Sequence, residues 1–161
     1  MNKKLRIGVL GPHDCSKDEA ALGFAVGVEI ARRDAILVCG GLGGIMTSAA
    51  EGAKSRKGLT VGLLPGDKAS DANPFIDVAL PTGLGAVRNA LIVRACDAVI
   101  AIRGGYGTLS EIAFALRLKV PVVGLQTWNV VQNGKVDPGI HVAKTPEEAV
   151  EMALRLATRA G

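Results

Sequence analysis

Short apolar runs alternate along this chain with longer segments in which apolar residues recur every three or four positions. The short runs predict buried strands, and the longer segments predict helices with one face toward a core. We expect strands at Leu5–Leu10, Ala35–Cys39, Leu59–Leu64, Ile76–Leu80, Ala98–Ile102, Val120–Leu125 and Ile140–Ala143. Because strands and helices alternate, the pattern predicts an α/β fold: a Rossmann-like, doubly wound, mainly parallel sheet in three layers with right-handed crossovers.

Local signals predict two helix starts and one hairpin. Ser16 and Glu19 have the three-residue spacing of a capping box, and so do Thr145 and Glu148. The dipeptide Asn133-Gly134 is typical of a tight turn and predicts a small hairpin before the last strand. These signals agree with the order of elements that the apolar pattern predicts.

Size and composition favour one soluble domain. The 161 residues, 48% of them hydrophobic, are enough for a substantial core, and we expect a single nucleotide-binding domain over residues 1–161. No apolar run approaches the roughly 18 residues that cross a membrane, and we find no targeting segment. The odd, widely spaced cysteines Cys15, Cys39 and Cys96 predict neither a disulfide framework nor a metal site. We therefore expect a cytoplasmic protein.

The basic charge balance does not by itself indicate nucleic acid. The net charge is +4, but aromatic residues make up only 3% of the chain and the basic residues are scattered along it. Solvated helix faces and a small anionic ligand explain the charge equally well. We expect neither a nucleic-acid partner nor a membrane partner.

The stretch Arg103–Glu111 is the centre of the candidate chemistry. It follows the apolar run Ala98–Ile102 and leads into a helical pattern that starts at Thr108. Three glycines in this stretch remove the Cβ atoms that would keep a ligand off the backbone. The helix that follows presents unpaired N–H groups and the positive end of its dipole. Such a turn favours an anion, most often a phosphate.

A second turn of the same design lies earlier in the chain. The run Ala35–Cys39 is followed by Gly40-Gly41-Leu42-Gly43-Gly44 and then by a helical pattern from Ile45. One such turn is equally consistent with tight packing of a helix on a sheet. Two turns in a small domain favour a phosphate-bearing ligand. The candidate binding residues are Gly40, Gly41, Gly43, Gly44, Gly104, Gly105, Tyr106, Gly107 and Thr108.

Two common nucleotide-binding signatures are absent from the sequence. Neither glycine turn has the spacing G-x-G-x-x-G, and no lysine follows the last glycine as it does in a P-loop. Dinucleotide redox chemistry and ATP hydrolysis are therefore poor fits to this chain.

The two glycine motifs resemble those of a known family, the LOG-type cytokinin-activating phosphoribohydrolases and their relatives, which include molybdenum-cofactor carrier proteins. The resemblance runs from the first strand to about Leu125 and rests on Gly40–Met46 and Gly104–Glu111. In the hydrolases the second motif is P-G-G-x-G-T-x-x-E, with a required arginine on the preceding helix. Glu111 matches the family's glutamate, and Arg88 matches its arginine at the same separation.

Departures from the hydrolase pattern make the chain more similar to the carrier branch. Arg103 stands where the motif has proline, and Asn89 stands where the hydrolases have a lysine. The chain is also shorter than typical hydrolases. The resemblance implies a shared phosphate site that holds a molybdenum cofactor or a nucleoside monophosphate, with no cofactor required for catalysis. The lysine decarboxylase label often given to this family does not fit, because no lysine here has a recognisable pyridoxal-phosphate context.

Glu111 and Arg88 are the catalytic candidates. In hydrolysis of an N-glycosidic bond, the carboxylate would stabilise positive charge on the ribose and accept the proton of the attacking water. Arg88 would orient Glu111 and contact the ribose or the phosphate. However, Thr108-x-x-Glu111 also has the spacing of a capping box, which stabilises a helix by about 1 kcal/mol and needs no ligand.

Further candidates surround this motif. Arg103 either projects into solvent or supplies a second cation, and His13 either contacts the ligand or is simply solvated. Gly11 belongs to the same strand-exit loop as His13, and Met46 belongs to the first glycine motif. Trp128 follows a late strand, where it covers a base or packs against the last helix.

Three functions are consistent with these residues. The first is binding of a phosphorylated nucleotide or pterin, as in a molybdenum-cofactor carrier. The second is a phosphoribohydrolase that cleaves nucleoside 5′-monophosphates to free base and ribose 5-phosphate. The third is an oligomeric scaffold without catalysis. We expect a homodimer or larger homo-oligomer in each case, because the helix around Arg88 is apolar over most of its circumference.

Overall fold

The computed structural model describes residues 3–160 and consists of parallel strands joined by helices. Its strands are β1 (Arg6–Leu10), β2 (Ile36–Cys39), β3 (Thr60–Leu64), β4 (Val78–Pro81), β5 (Ala98–Ile102), β6 (Val122–Leu125), β7 (Val131–Gln132), β8 (Lys135–Val136) and β9 (Ile140–Ala143). Seven of them form one parallel sheet in the order β4-β3-β2-β1-β5-β6-β9. Strands β7 and β8 form the separate antiparallel hairpin that Asn133-Gly134 predicts.

Helices cover both faces of the sheet, as the alternating pattern predicts. They are α1 (Lys17–Arg32), α2 (Ile45–Ser55), α3 (Asn89–Arg94), α4 (Tyr106–Leu118) and α5 (Pro146–Ala160). Side chains of α1, α2 and α5 share one buried cluster with Leu37 and Cys39 of β2. Side chains of α3 and α4 share the other with Val38 of the same strand. This alternation confirms the three-layer, doubly wound fold.

Glycines bring α1 and α2 into unusually close contact. A Cβ atom on Gly27 would lie 1.9 Å from the carbonyl oxygen of Ala49, and one on Gly52 would lie 2.0 Å from that of Phe24. The two backbones touch where any side chain would push them apart. This close contact holds the start of α2, and the glycine turn before it, against the exit loop of β1.

Several predicted elements have different bounds in the structure, and two of the differences lie beside the candidate site. Helix α4 begins at Tyr106, two residues before the predicted start at Thr108. The helix predicted around Arg88 is a 3-10 turn, Gly85–Arg88, followed by the short α3. Both shifts matter, because they set the backbone around the candidate site.

The direction of the strand order reverses at β1. Strand β1 pairs with β2 on one side and with β5 on the other, so the connections after β1 and β5 leave the sheet on opposite faces. In open α/β sheets this switch point leaves a crevice at the carboxyl ends of the strands. Within residues 3–160, no helix combines the length and the apolar character that crossing a bilayer requires.

Candidate functional site

A cleft opens at this switch point, beyond the carboxyl ends of β1, β2 and β5. Its volume is about 420 Å³. It brings together nine of the predicted site residues: Gly11, His13, Gly40, Met46, Arg88, Gly105, Gly107, Thr108 and Glu111. Both catalytic candidates therefore lie in one cavity with part of each glycine motif.

Arg88 is a buried cation with unused hydrogen-bonding capacity. Its side chain is 8% exposed, and its Nη1 donates a hydrogen bond of 2.7 Å to the carbonyl oxygen of Leu63. Its buried Nε has no hydrogen-bond partner among the described residues. A Cβ on Gly40 would lie 2.2 Å from Nη1, so a glycine is required there to admit the guanidinium. Burial lowers the pKa of Arg88, and the carboxyl group of Glu111 opposes that change.

Glu111 is the second buried ionisable group of the cleft. It lies on α4 and is 9% exposed. Burial raises its pKa to about 7, and the nearby charge of Arg88 limits the rise. In the part of the chain that the structure describes, the two side chains make no direct ion pair. The cleft therefore contains a carboxyl group that changes charge near neutral pH, opposite a fixed cation.

The capping-box interpretation of Thr108 and Glu111 is wrong in this structure. The N-cap of α4 is Gly105, and no side chain caps the helix. Thr108 consequently lies three positions inside the helix and Glu111 six positions inside, too far along to serve as the cap and its partner. The helix starts two residues earlier than the Thr108 spacing predicts, and this shift frees both side chains from a capping role.

The N-terminal turn of α4 is open to the cleft. Cβ atoms built on Gly105 and Gly107 would meet no atom within 4 Å. The first N–H groups of any helix lack partners within the helix. The Thr108 hydroxyl has no hydrogen-bond partner among residues 3–160, although Thr108 is only 3% exposed. Open space, backbone donors and a hydroxyl therefore meet at one end of α4.

The first glycine turn contributes less to the cleft. Gly40 and Met46 line it, whereas Gly41, Gly43 and Gly44 do not. The missing Cβ of each of these three glycines faces protein atoms: the side chain of Leu64 for Gly41, the His13 ring for Gly43, and the carbonyl oxygens of Pro12 and His13 for Gly44. Ligand binding by these three residues stays a prediction.

A groove adjoins the cleft on the other side of the Gly104–Gly107 turn. Its volume is about 490 Å³, and Arg103 and Gly104 line it together with Gln126, Thr127 and Trp128. Tyr106 lines neither cavity and is 83% exposed, with its ring 5.9 Å from that of Trp128. Trp128 packs partly against the cluster beneath α3 and α4, so the predicted contact with the last helix is wrong.

The loop after β6 holds the glycine turn in place. Thr127 Oγ1 donates to the carbonyl oxygen of Arg103, and Trp128 Nε1 donates to that of Gly105 at 3.3 Å. Arg103 and Gln126 follow paired strand ends and have positive φ angles of 51° and 56°. These bonds occupy carbonyl groups of the turn and leave its N–H groups for other partners.

Sequence reasoning missed some residues of the cleft. Pro12, Asp14 and Asn89 line it alongside Val9 and Leu10. Asp14 also lines the groove and has no hydrogen-bond or ion-pair partner in the described part of the chain. Its position in the loop after the first strand was the available signal, because such loops border the ligand in open α/β sheets.

Cys39 is part of the core and not of the site. It is fully buried, and burial raises the pKa of its thiol to about 11. A thiol of that kind stays protonated and unreactive. Across residues 3–160, no three His, Cys, Asp or Glu side chains are grouped closely enough to hold a metal ion.

Solved structures similar to this chain include two proteins with named ligands. One is the molybdenum cofactor binding protein of the phototrophic bacterium Rippkaea orientalis, with 33% identity, a TM-score of 0.87 and coverage of 96% of this chain and 98% of that one. Another is the molybdenum cofactor carrier protein of Chlamydomonas reinhardtii, with 30% identity, a TM-score of 0.84 and coverage of 97% and 99%.

The sequence also matches a protein relative and a family model over most of its length. An uncharacterized protein of Archaeoglobus fulgidus is 41% identical over 152 residues, which are 94% of this chain and 96% of the relative. The model of the SLOG cluster4 family matches residues 4–150. The residues that the family model matches include both glycine turns and every residue that lines the cleft, and the chain therefore belongs to the SLOG cluster4 family.

Proposed function

We propose that this protein binds and carries a phosphorylated pterin of the molybdenum-cofactor kind, or a phosphorylated nucleotide, in the cleft between β1 and β5. The observation that carries the proposal is the buried Nε of Arg88, which has no partner among the described residues, on a side chain that lines the cleft. A buried unpaired donor on a cation is costly unless a ligand satisfies it.

The phosphate of the ligand is assigned to the second glycine turn. The open faces of Gly105 and Gly107 leave room for phosphate oxygens beside the N–H groups of α4, and the Thr108 hydroxyl adds a donor. Arg88 adds the positive charge that a phosphate requires. We assign the first turn a supporting role, through Gly40, which makes room for Arg88.

The residues of the cleft fit a molybdenum cofactor as cargo. Its phosphate matches the open glycine turn, and the cavity of about 420 Å³, together with the groove on the other side of the turn, has room for the rest of the molecule. The likeness to the Rippkaea orientalis and Chlamydomonas reinhardtii proteins supports this ligand class. A bound cofactor of this kind supplies molybdenum redox chemistry to the enzyme that receives it. The carrier's own residues only bind, orient and shield it.

Cofactor retention tests this proposal. The protein is incubated without oxygen with released molybdenum cofactor and separated from unbound material, and the pterin it retains is quantified by fluorescence after oxidation. We expect the wild type and an Arg94→Met control to retain pterin, because Arg94 is exposed and lines neither cavity. We expect Arg88→Met to lose it while the protein stays folded, since an apolar side chain of similar length replaces a buried charge. A wild type that retains no pterin would contradict a carrier of the molybdenum cofactor and leave the phosphorylated nucleotide as the ligand to test.

A phosphoribohydrolase is the second candidate, and the state of Glu111 favours it. Its pKa of about 7 suits a group that exchanges protons with water near neutral pH, and Arg88 lies in the same cleft. Incubation with AMP and GMP, followed by chromatography of the free base, tests this activity. Hydrolysis requires base release by the wild type and by Glu51→Gln, an exposed control, and its loss in Glu111→Gln.

The two experiments separate the candidates. Retained pterin without base release indicates a carrier, and base release that depends on Glu111 indicates a hydrolase. If no phosphorylated compound raises the melting temperature at saturating concentration, the scaffold function remains.

We further propose a homo-oligomer built on the surface around Arg88. Val87 is 70% exposed, and Leu84 and Leu91 on the same segment are also exposed. Apolar side chains at this spacing on a helix usually meet a partner. Sedimentation of the wild type at micromolar concentration is expected to give a dimer or larger species, and Val87→Glu is expected to shift it toward the monomer. A monomeric wild type would contradict this proposal.

The partner and location predictions carry over to this proposal unchanged. We propose a cytoplasmic protein, which three free cysteines support, and no nucleic-acid partner.

A further inference from the structure

The groove beyond the glycine turn extends the cleft and has its own chemistry. The cleft and the groove, of about 420 and 490 Å³, share Pro12 and Asp14 and lie on either side of the Gly104–Gly107 turn. A ligand whose phosphate lies on that turn can therefore extend into the groove. We infer that Asp14 and this groove select a ligand ring with a 2-amino-4-oxo edge, the edge shared by guanine and pterin, over adenine; the inference rests on the proposed phosphate site.

One wall of the groove is an indole that is already fixed in place. Trp128 is held by its hydrogen bond to the carbonyl oxygen of Gly105 and by the neighbouring ring of Tyr106. Because its only donor is occupied, the indole offers the groove an apolar aromatic surface. Such surfaces stack well on flat heterocycles, whichever base or pterin is present.

The charges of the groove disfavour a second phosphate. Its ionisable lining consists of one cation, Arg103, and two carboxylates, Asp14 and Glu19. Arg103 Nε lies 3.7 Å from Glu19 Oε1, and the other oxygen of Glu19 accepts a hydrogen bond from the Ser16 backbone N–H. Arg103 and Glu19 therefore offset each other, and Asp14 leaves the groove with a net negative charge. A groove of this kind favours hydrogen-bond donors on the ligand.

Asp14 is the residue with free acceptors at the junction of the two cavities. Asp14 lines both cavities, is exposed, and its carboxylate has no hydrogen-bond or ion-pair partner among residues 3–160. The 2-amino-4-oxo edge presents two adjacent donors, a ring N–H and an amino group, which the two oxygens of one carboxylate accept together. Adenine offers one donor beside an acceptor on the corresponding edge, and hypoxanthine lacks the amino group.

Calorimetric titration of the full chain tests the selection. The probes are ribose 5-phosphate, GMP, IMP, AMP and neopterin monophosphate. We expect GMP to bind about tenfold more tightly than IMP or AMP, the loss expected for one hydrogen bond to a charged group. In Asp14→Asn we expect the GMP-to-IMP ratio to fall to about one, because one acceptor becomes a donor. The ratio is the decisive readout, since removing a negative charge can strengthen the binding of every phosphorylated probe equally.

The matched control is Asp18→Asn, which makes the same charge change at an exposed site on α1 outside both cavities. We expect it to keep the wild-type ratio. Comparison of GMP with neopterin monophosphate identifies which of the two sources of the shared edge binds more tightly.

The outcomes separate this inference from the proposed function. If ribose 5-phosphate binds but GMP, IMP and AMP bind equally, the selection by Asp14 is wrong and the phosphate site stands. The same holds if GMP is preferred but Asp14→Asn keeps the preference. If ribose 5-phosphate and every other probe fail to bind, the proposed phosphate site fails and the selection fails with it.

Discussion

The glycine turn at residues 40–44 and the one at 104–107 have similar sequences, but the first packs against the loop after β1 and the second faces an open cleft. Each joins a buried strand to a helix whose N-cap is a glycine, Gly44 for α2 and Gly105 for α4. Each helix also has a threonine three residues after its N-cap, Thr47 in the first and Thr108 in the second. From the sequence alone, the two turns are equally good candidates for a phosphate site.

The first turn satisfies its polar groups within the protein. The Ile45 N–H, the first of α2, donates to the carbonyl oxygen of Pro12 at 3.1 Å. The Thr47 hydroxyl donates to that of Leu42 at 2.8 Å. Six residues after the N-cap, α2 has the fully buried Ala50, where α4 has Glu111. Nothing at these three positions of the first turn remains for a ligand to bind.

The second turn leaves the corresponding groups unpaired. The side chains of Thr108 and Glu111 make no hydrogen bond among the described residues, and the faces of Gly105 and Gly107 are open. Glycines and a threonine at this spacing therefore indicate that another group approaches the backbone closely, and the neighbouring elements decide which group that is. At the first turn it is the loop after β1, and at the second we propose that it is a phosphate.

The largest expected effect is on stability at the first turn. Gly44 has a φ of +64°, and a Cβ there would lie 2.0 Å from the carbonyl oxygen of His13. We expect Gly44→Ala to lower the free energy of unfolding in urea by about 3–4 kcal/mol, from the strained φ and the clash together. Gly83→Ala is the matched control, because Gly83 has a φ of +65° but no atom near its missing Cβ. If Gly44→Ala lowers the free energy of unfolding no more than the control does, the loop after β1 does not pack tightly against the first turn.

The second effect is a pH dependence of stability that comes from Glu111 on α4 and has no counterpart at the equivalent position of α2, where Ala50 stands. Glu111 holds its proton up to a pKa of about 7 in the folded protein, against about 4.5 when unfolded. The folded state therefore binds more protons between these values, so the stabilisation is complete below pH 4.5 and is lost as pH rises through 7. We expect the free energy of unfolding to fall by about 3 kcal/mol over this range, as an upper limit. Urea titrations at several pH values measure it.

The controls for this pH dependence lie on the two helices compared. Glu111→Gln is expected to remove the decrease, and Glu51→Gln, an exposed change on α2, is expected to keep it. If the wild type and Glu111→Gln show the same pH dependence, the carboxyl group of Glu111 is not held neutral by burial.

The third effect separates the two threonines. Thr47→Val removes a hydrogen bond to Leu42 and is expected to cost about 1 kcal/mol of stability. Thr108→Val removes a hydroxyl without a described partner, so we expect a stability change below about 0.5 kcal/mol and an approximately tenfold weaker affinity for ribose 5-phosphate. Urea unfolding and calorimetry measure the two quantities. If Thr47→Val instead weakens the affinity for ribose 5-phosphate and Thr108→Val does not, the phosphate binds at the first turn.

The sequence predicted the fold well because its signals are local or periodic. The apolar runs and the helical spacing identify the strands and the faces of the helices, and the alternation of elements determines the parallel sheet. Arg88 and Glu111 were identified through the family resemblance, and the structure brings them into one cleft. Bounds were less predictable, as Tyr106 at the start of α4 illustrates.

What the sequence could not provide was the set of partners across space. The Thr108-x-x-Glu111 spacing matches a capping box, and only the backbone of Gly105 shows that the helix starts earlier. The closure of the first turn depends on Pro12 and His13, which are some thirty residues away in sequence. Asp14 lies in the loop after the first strand, where ligands of open α/β sheets bind, but no motif distinguishes it from the other residues of that loop. Its place between two cavities is a property of the fold alone.

The most direct measurement of the central claim is the binding of ribose 5-phosphate to Gly105→Val. The new side chain enters space with no atom within 4 Å, at a φ of −95° that valine adopts readily, so we expect stability to stay within about 0.5 kcal/mol of the wild type. Gly66→Val is the control, since its Cβ would make only an ordinary contact of 3.4 Å outside both cavities. We expect Gly105→Val to fold but not to bind ribose 5-phosphate, and Gly66→Val to bind it like the wild type. Wild-type affinity in a folded Gly105→Val protein would contradict the placement of the phosphate on this turn.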